Sequence, residues 1–74
     1  MRRPLEELTD TELGMLEALG RGKSRKEMAK EFGLSERAIT ERSGRIRKKL
    51  GLRSSSALMR YAVCWVETER SGRG

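Results

Sequence analysis

Apolar residues recur along this chain at helical spacing, in four blocks separated by short joints rich in glycine or serine. The first block is "LTDTELGMLEALGRGKS", which places Leu13, Met15, Leu16 and Leu19 on one side of a helix. Thr9 precedes it, and Glu12 follows three residues later, the spacing of a capping box. Gly20 and Gly22 are expected to stop that helix. The second block, "SRKEMAKEFGLS", repeats the device: Ser24 caps, Glu27 completes the box, and Met28, Ala29 and Phe32 form the buried stripe. Gly33 turns the chain, and Ser35 caps a third helix almost at once. Two short helices joined by a tight turn containing Gly form a helix-turn-helix.

The third block, "LSERAITERSGRIRKKLG", can be tested by angle at roughly 100° per residue. With Ile39 as the origin, Ser43, Ile46 and Leu50 fall near it, and Ala38 and Arg42 flank them. Arg37, Glu41, Gly44 and Lys48 fall on the opposite side. Thr40 and Arg47 border that outer face on one edge, Arg45 and Lys49 on the other. Gly51 ends the helix, and Leu52 is placed to pack back beneath it.

The fourth block, "RSSSALMRYAVCWVETER", is expected to be a helix capped by Ser56 or Ser55. Leu58, Met59, Ala62, Val63 and Val66 make one apolar side; Tyr61, Cys64 and Trp65 make another. A helix apolar on two sides has more to hide than a small domain needs. The expected fold is therefore all-α, with four helices. The terminal "SGRG" is expected to be disordered.

Charge sharpens this picture because it is segregated. Net charge is +6, yet residues 1–20 carry two basic and five acidic groups, while residues 42–60 carry seven basic groups and no acidic one. Concentrated positive charge on a patterned helix suits a polyanion, nucleic acid first. In a helix-turn-helix the second of the paired helices lies in the major groove and the first crosses the backbone. Arg37, Thr40, Glu41, Gly44 and Lys48 are then the base-facing candidates, and Lys23, Ser24, Lys26, Arg45, Arg47 and Lys49 the phosphate-binding ones. Gly44 is open to two readings. It either allows close approach of the helix backbone to the groove floor, or reflects weakened sequence reading. Glu41 can accept from a cytosine amino group or pair with Arg37 or Arg45.

Other classes find little support. With 74 residues there is room for one small domain and no catalytic cleft. One Cys and no His leave no disulfide and no Cys/His zinc set, so no metal and no cofactor are expected. Cys64, beside Trp65, reads as a packed thiol rather than a nucleophile. No apolar run nears the ~20 residues of a membrane span, and "MRRPLEEL" lacks the apolar run of a signal peptide. A cytoplasmic location is the expectation.

The pieces "LTDTELGMLEAL", "GRGKSRKEMAKEFGLSERAIT" and "RIRKKLGLRSSSAL" together resemble the C-terminal DNA-binding domain of LuxR/GerE-type transcriptional regulators, over residues 8 to about 66. The stretch "ITERSGRIRKKL" also resembles, more narrowly, the DNA-reading helix of sigma-factor region 4. The first resemblance implies a bacterial four-helix helix-turn-helix protein that binds double-stranded DNA, and a homodimer through the last helix, with Leu58, Tyr61, Cys64 and Trp65 at the interface. It implies an N-terminal arm at 1–7, a domain at 8–69 with its recognition helix at about 36–50 and dimerisation helix at about 56–69, and a tail at 70–74. The family fold usually follows a sensor or phospho-acceptor domain. None is present in these residues, so the expectation is a stand-alone domain controlled by abundance, a partner or an outside regulator. Family members usually carry Lys where this chain has Thr40 and His where it has Arg42, and often Arg at the position of Thr11. Their base contacts come from the positions of Thr40, Glu41 and Gly44, so a target sequence does not carry over. The other reading is a protein-binding module whose fourth helix sequesters another regulator or touches RNA polymerase.

Overall fold

The computed structural model describes residues 7–72 of the chain, with side chains as far as residue 68. Four helices follow one another: α1 (Asp10–Gly20), α2 (Arg25–Phe32), α3 (Glu36–Lys49) and α4 (Ser55–Gly72). Most of the expected N-terminal arm lies outside the described residues. The last helix extends to Gly72, into the stretch expected to be a disordered tail, and residues 73–74 lie outside the description.

Each helix begins where a short side chain satisfies free backbone donors. Thr9 and Ser24 each close a reciprocal box with the Glu three residues on, and Ser35 accepts from the Ala38 N–H. The fourth cap is Ser54, one residue before the expected candidates; its Oγ accepts from the Ala57 N–H at 3.1 Å. Serine follows serine there, and only geometry separates them. The ends of α2 and α3 share a pattern. Gly33 and Gly51 adopt φ of 67° and 71°, the left-handed region open to glycine. The next residue then donates back to the helix, Leu34 to Ala29 O and Leu52 to Arg47 O, each at 2.9 Å. The first of these returns is the turn that sets α3 against α2.

The core collects Met15 and Leu16 from α1, Met28 from α2, Ile39 and Ile46 from α3, and Leu58 and Ala62 from α4. α1 lies chiefly on α4, α2 on α3, and α1 also supports α3. Met15, Leu16, Met28 and Ile46 are wholly removed from solvent, each contributing about 1.5–3 kcal/mol of transfer free energy. Leu13, Leu19, Phe32, Tyr61 and Trp65 pack around them, partly covered. Among the described residues no helix is long and apolar enough to cross a membrane.

Gly20 has a different role from the stop signal expected of it. It lies within the last turn of α1, pressed against α4. A β-carbon there would overlap the Ala62 carbonyl oxygen and the Val66 methyl. Gly22, with φ of 84°, does the turning.

Among the described residues one charged side chain is buried with the core. Glu12 is 7% exposed, and its Oε1 accepts from the Thr9 N–H at 2.9 Å and from the Lys49 ammonium at 2.8 Å. Burial alone would raise its pKa; the Lys49 and Thr9 donors more than offset this and hold it below the ordinary 4.5.

Two outcomes are expected from this packing. Gly20→Ala should lower stability by about 1–3 kcal/mol in urea titration, because two backbones must separate to admit the methyl. The folded chain binds the Glu12 proton less tightly than the unfolded chain. Its contribution is therefore complete above the ordinary value of 4.5 and disappears as pH falls through the lower folded value. Glu12→Gln should cost about 1–3 kcal/mol at neutral pH and flatten the acid limb of the melting-temperature profile.

Candidate nucleic-acid interface

Burying Ile39 and Ile46 turns the opposite side of α3 to solvent, and that side carries the residues expected there. The Arg37 side chain is 90% exposed and Glu41 64%, with Lys48 exposed two turns further on. Thr40 is exposed too, its hydroxyl donating to Glu36 O at 3.1 Å. Arg37 and Glu41 approach only to 3.9 Å, so the pair holds neither side chain firmly.

Gly44 lies in the middle of this face, and apart from its chain neighbours and the helix's own backbone no atom comes within 4 Å of where its β-carbon would be. The fold therefore makes no demand for glycine at this position. This is the reverse of Gly20, where a carbonyl fills the space.

The face adjoins an open groove of about 460 Å³. Ser24 and Arg25 at the start of α2 form one wall, Thr40, Gly44 and Arg47 of α3 another, and Ser55 at the start of α4 a third. Two helix N-termini thus open onto one concavity. In each, the capping hydroxyl satisfies one backbone donor, the Glu27 N–H and the Ala57 N–H, and the preceding N–H groups lack an intrahelical acceptor. Such ends attract anions. Arg25 shares the first turn of α2 with the phosphate candidates and lines the groove with them. Ser55 was not foreseen as part of this site, since its place depends on how α4 crosses α3, a long-range contact with no local signal.

The cations differ in availability. Lys26, Arg45 and Lys48 are exposed and make no ion pair among the described residues. Lys23 bonds Glu31 at 2.7 Å on the exposed surface, a link that a phosphate can replace. Arg47 donates to Leu52 O at 3.0 Å, and the residue also lines the groove. Lys49 is the departure. Expected on the rim, its ammonium turns inward to Glu12 and to the Glu7 carbonyl. A buried carboxylate on α1 is a better partner than water. Lys49 thereby joins the end of α3 to the start of α1.

The interface candidates on α4 separate as well. Leu58 is 4% exposed and lies in the core, and Tyr61 and Trp65 pack partly against it. Cys64, expected to be packed, is exposed. The apolar side chains that α4 leaves open are Met59 and Val63, 42% and 37% exposed. Neither expected side is taken whole: Leu58, Ala62 and Val66 of the first and Tyr61 and Trp65 of the second turn to the core, while Met59, Val63 and Cys64 are exposed.

The model of bacterial regulatory proteins of the luxR family matches residues 6–62. The chain belongs to that family. The match runs from the approach to α1 through the first half of α4, so the resemblance in the sequence and the observed helix order agree. The LuxR-type domain is also 37% identical over 59 residues to the transcriptional regulatory protein TdiR of Thauera aromatica. That stretch is 80% of this chain and 26% of TdiR, so the chain spans about a quarter of the relative's length. No solved structure matches significantly.

The bare position on the LuxR-type face can be tested directly. Gly44→Ala is expected to raise stability by up to about 1 kcal/mol, since the methyl meets nothing and alanine is the better helix former. If the helix backbone approaches the groove floor closely, the same change weakens binding to a selected DNA site and leaves binding to random duplex unchanged. Paired thermal melts and binding isotherms separate this from a glycine without a role, for which neither affinity falls.

Proposed function

We infer that this LuxR-family domain regulates transcription by binding double-stranded DNA, with α3 in the major groove. The N-termini of α2 and α4 meet phosphates on either side. The observation that carries this reading is the outer face of α3. It is free of apolar side chains, it is bare at Gly44, and it is edged by the groove into which two helix N-termini open. In this arrangement Arg37, Thr40, Glu41, Gly44 and Lys48 face the bases. Lys26, Arg45 and Arg47, with the backbone donors at Ser24 and Arg25, hold the phosphate walls, and Lys23 joins them by leaving Glu31. Lys49 supports the helix from within.

The reading includes a homodimer through α4. Two-fold symmetry would set the recognition helices about one DNA turn, ~34 Å, apart, on a near-palindrome with half-sites ~10 base pairs apart. The exposed Met59 and Val63 support a partner on α4. They equally favour the second reading, in which α4 holds a different protein, another regulator or RNA polymerase, and DNA binding is weak.

Salt dependence distinguishes the two. With six to ten phosphate contacts per dimer, affinity for duplex should fall by roughly 10³–10⁵ between 50 and 200 mM salt. Lys26→Ala and Arg45→Ala should each weaken binding to every sequence and make the slope shallower by about one. A flat salt response would exclude the DNA reading.

A further inference from the structure

The outward stripe of α3 holds two long polar side chains in its first half and little else there that can read a base. At roughly 100° per residue, Arg37, Glu41, Gly44 and Lys48 fall within about 60° of one another on the helix surface. Gly44 offers no side chain. Thr40, at the edge of the stripe, has its hydroxyl proton committed to Glu36 O at 3.1 Å. Lys48 stands a turn beyond Gly44, away from the N-terminal half that lies nearest the base edges, and it carries a point charge rather than a planar fork. Arg37 and Glu41 remain, with side chains 90% and 64% exposed. Their approach is between Arg37 Nε and Glu41 Oε2, at 3.9 Å, too far for a hydrogen bond. Among the described residues no acceptor takes the terminal fork of the Arg37 guanidinium. The acid is the unexpected member of the pair. A carboxylate turned toward DNA is repelled by phosphates unless a donor meets it, and the donors on the floor of the major groove are the amino groups of cytosine and adenine.

We propose that Arg37 and Glu41 are the specificity-determining pair of this domain and select G·C base pairs: Arg37 donates its terminal N–H groups to O6 and N7 of a guanine, and Glu41 accepts from the N4 amino group of a cytosine. The proposal rests on the DNA reading above and names bases that reading leaves open. Cytosine is preferred to adenine because adenine sets its N7 acceptor beside the amino group, against the carboxylate. Thymine O4 and guanine O6 are acceptors too, so Glu41 rejects these bases as well as selecting one. The Arg37 guanidinium beside it places positive charge next to the carboxylate and offsets the repulsion of the phosphates. Four residues of helix rise about 6 Å, and successive bases lie ~3.4 Å apart. The guanine and the cytosine therefore fall within about two base pairs of each other. Base reading is concentrated in the first half of α3, and the bare position at Gly44 leaves room for that half to enter the groove.

Selection from a random duplex library, followed by isotherms on the selected site and its single-base variants, tests the pair in the whole chain. Arg37, Thr40 and Glu41 are all exposed, so Arg37→Ala, Thr40→Ala and Glu41→Gln should fold, and melts check that they do. The selected site should contain the guanine and the cytosine, and replacing either should weaken wild-type binding about tenfold or more. Arg37→Ala should lose the preference at the guanine alone. Glu41→Gln should change the preferred base from cytosine to adenine, which the amide meets with one donor and one acceptor. It should also bind random duplex more tightly, because one negative charge leaves the face. A side chain with a purely structural role would not change the preferred base. Thr40→Ala should leave both preferences in place. Wild type that binds duplex with a steep salt dependence but without base preference, or with a preference moved by Thr40→Ala and not by the other two changes, would overturn the pair and leave the DNA reading intact. Wild type without salt-dependent binding to any duplex would overturn both.

Discussion

One carboxylate oxygen holds the arrangement together. Oε1 of Glu12 accepts from the Thr9 N–H and from the Lys49 ammonium, so it both closes the cap of α1 and receives the far end of α3. The two roles reinforce each other. The cap fixes the carboxylate relative to the first turn, and the fixed carboxylate gives Lys49 a definite destination. A charge this deeply covered persists only when paired and hydrogen-bonded. Here every buried side-chain polar atom among the described residues has a partner. The orientation of α3 is therefore secured at both ends: at its start by the left-handed turn through Gly33, and at its end by this contact with α1.

From that constraint follows the division of α3 into an inner and an outer side. Ile39 and Ile46 face the core and leave the charged side no choice but solvent. The two glycines of interest then have opposite explanations. Gly20 is small because a backbone carbonyl of α4 occupies the space; Gly44 is small although nothing in the chain occupies it. A residue that costs helix stability without a packing reason directs attention outward, to whatever lies against the face. The concavity beside it has the N-termini of α2 and α4 at its edge.

Much of this was legible in the sequence because the signals are local. The Thr9–Glu12 and Ser24–Glu27 boxes, the Ser35 cap and the glycine turns each act within a few residues. The period of α3 placed Arg37, Glu41, Gly44 and Lys48 together without reference to anything else. What was hidden depends on contacts distant in the chain. Lys49 was placed on the rim because its angle on the helix says nothing of Glu12, 37 residues earlier. Gly20 read as a stop because its neighbour in space belongs to α4. The fourth helix offered two apolar sides, and docking divided the first of them, turning Leu58 and Val66 inward and leaving Met59 and Val63 open.

The same division between local and distant contacts bears on the order of assembly. The caps and turns of α2 and α3, and the packing between these neighbours, close short loops at small entropic cost, which favours rapid formation. α4 is different: it joins α1 across the whole intervening chain, and the close approach at Gly20 has to be reached before Ala62 and Val66 gain their burial. By this topology docking of α4 is expected late on the way in and its loss early on the way out. A second copy or a DNA phosphate held at α4 would act on that last closure, slowing its opening more than hastening its formation. For a domain with so thin a core, any partner that held the fourth helix in place would lengthen residence in the folded state.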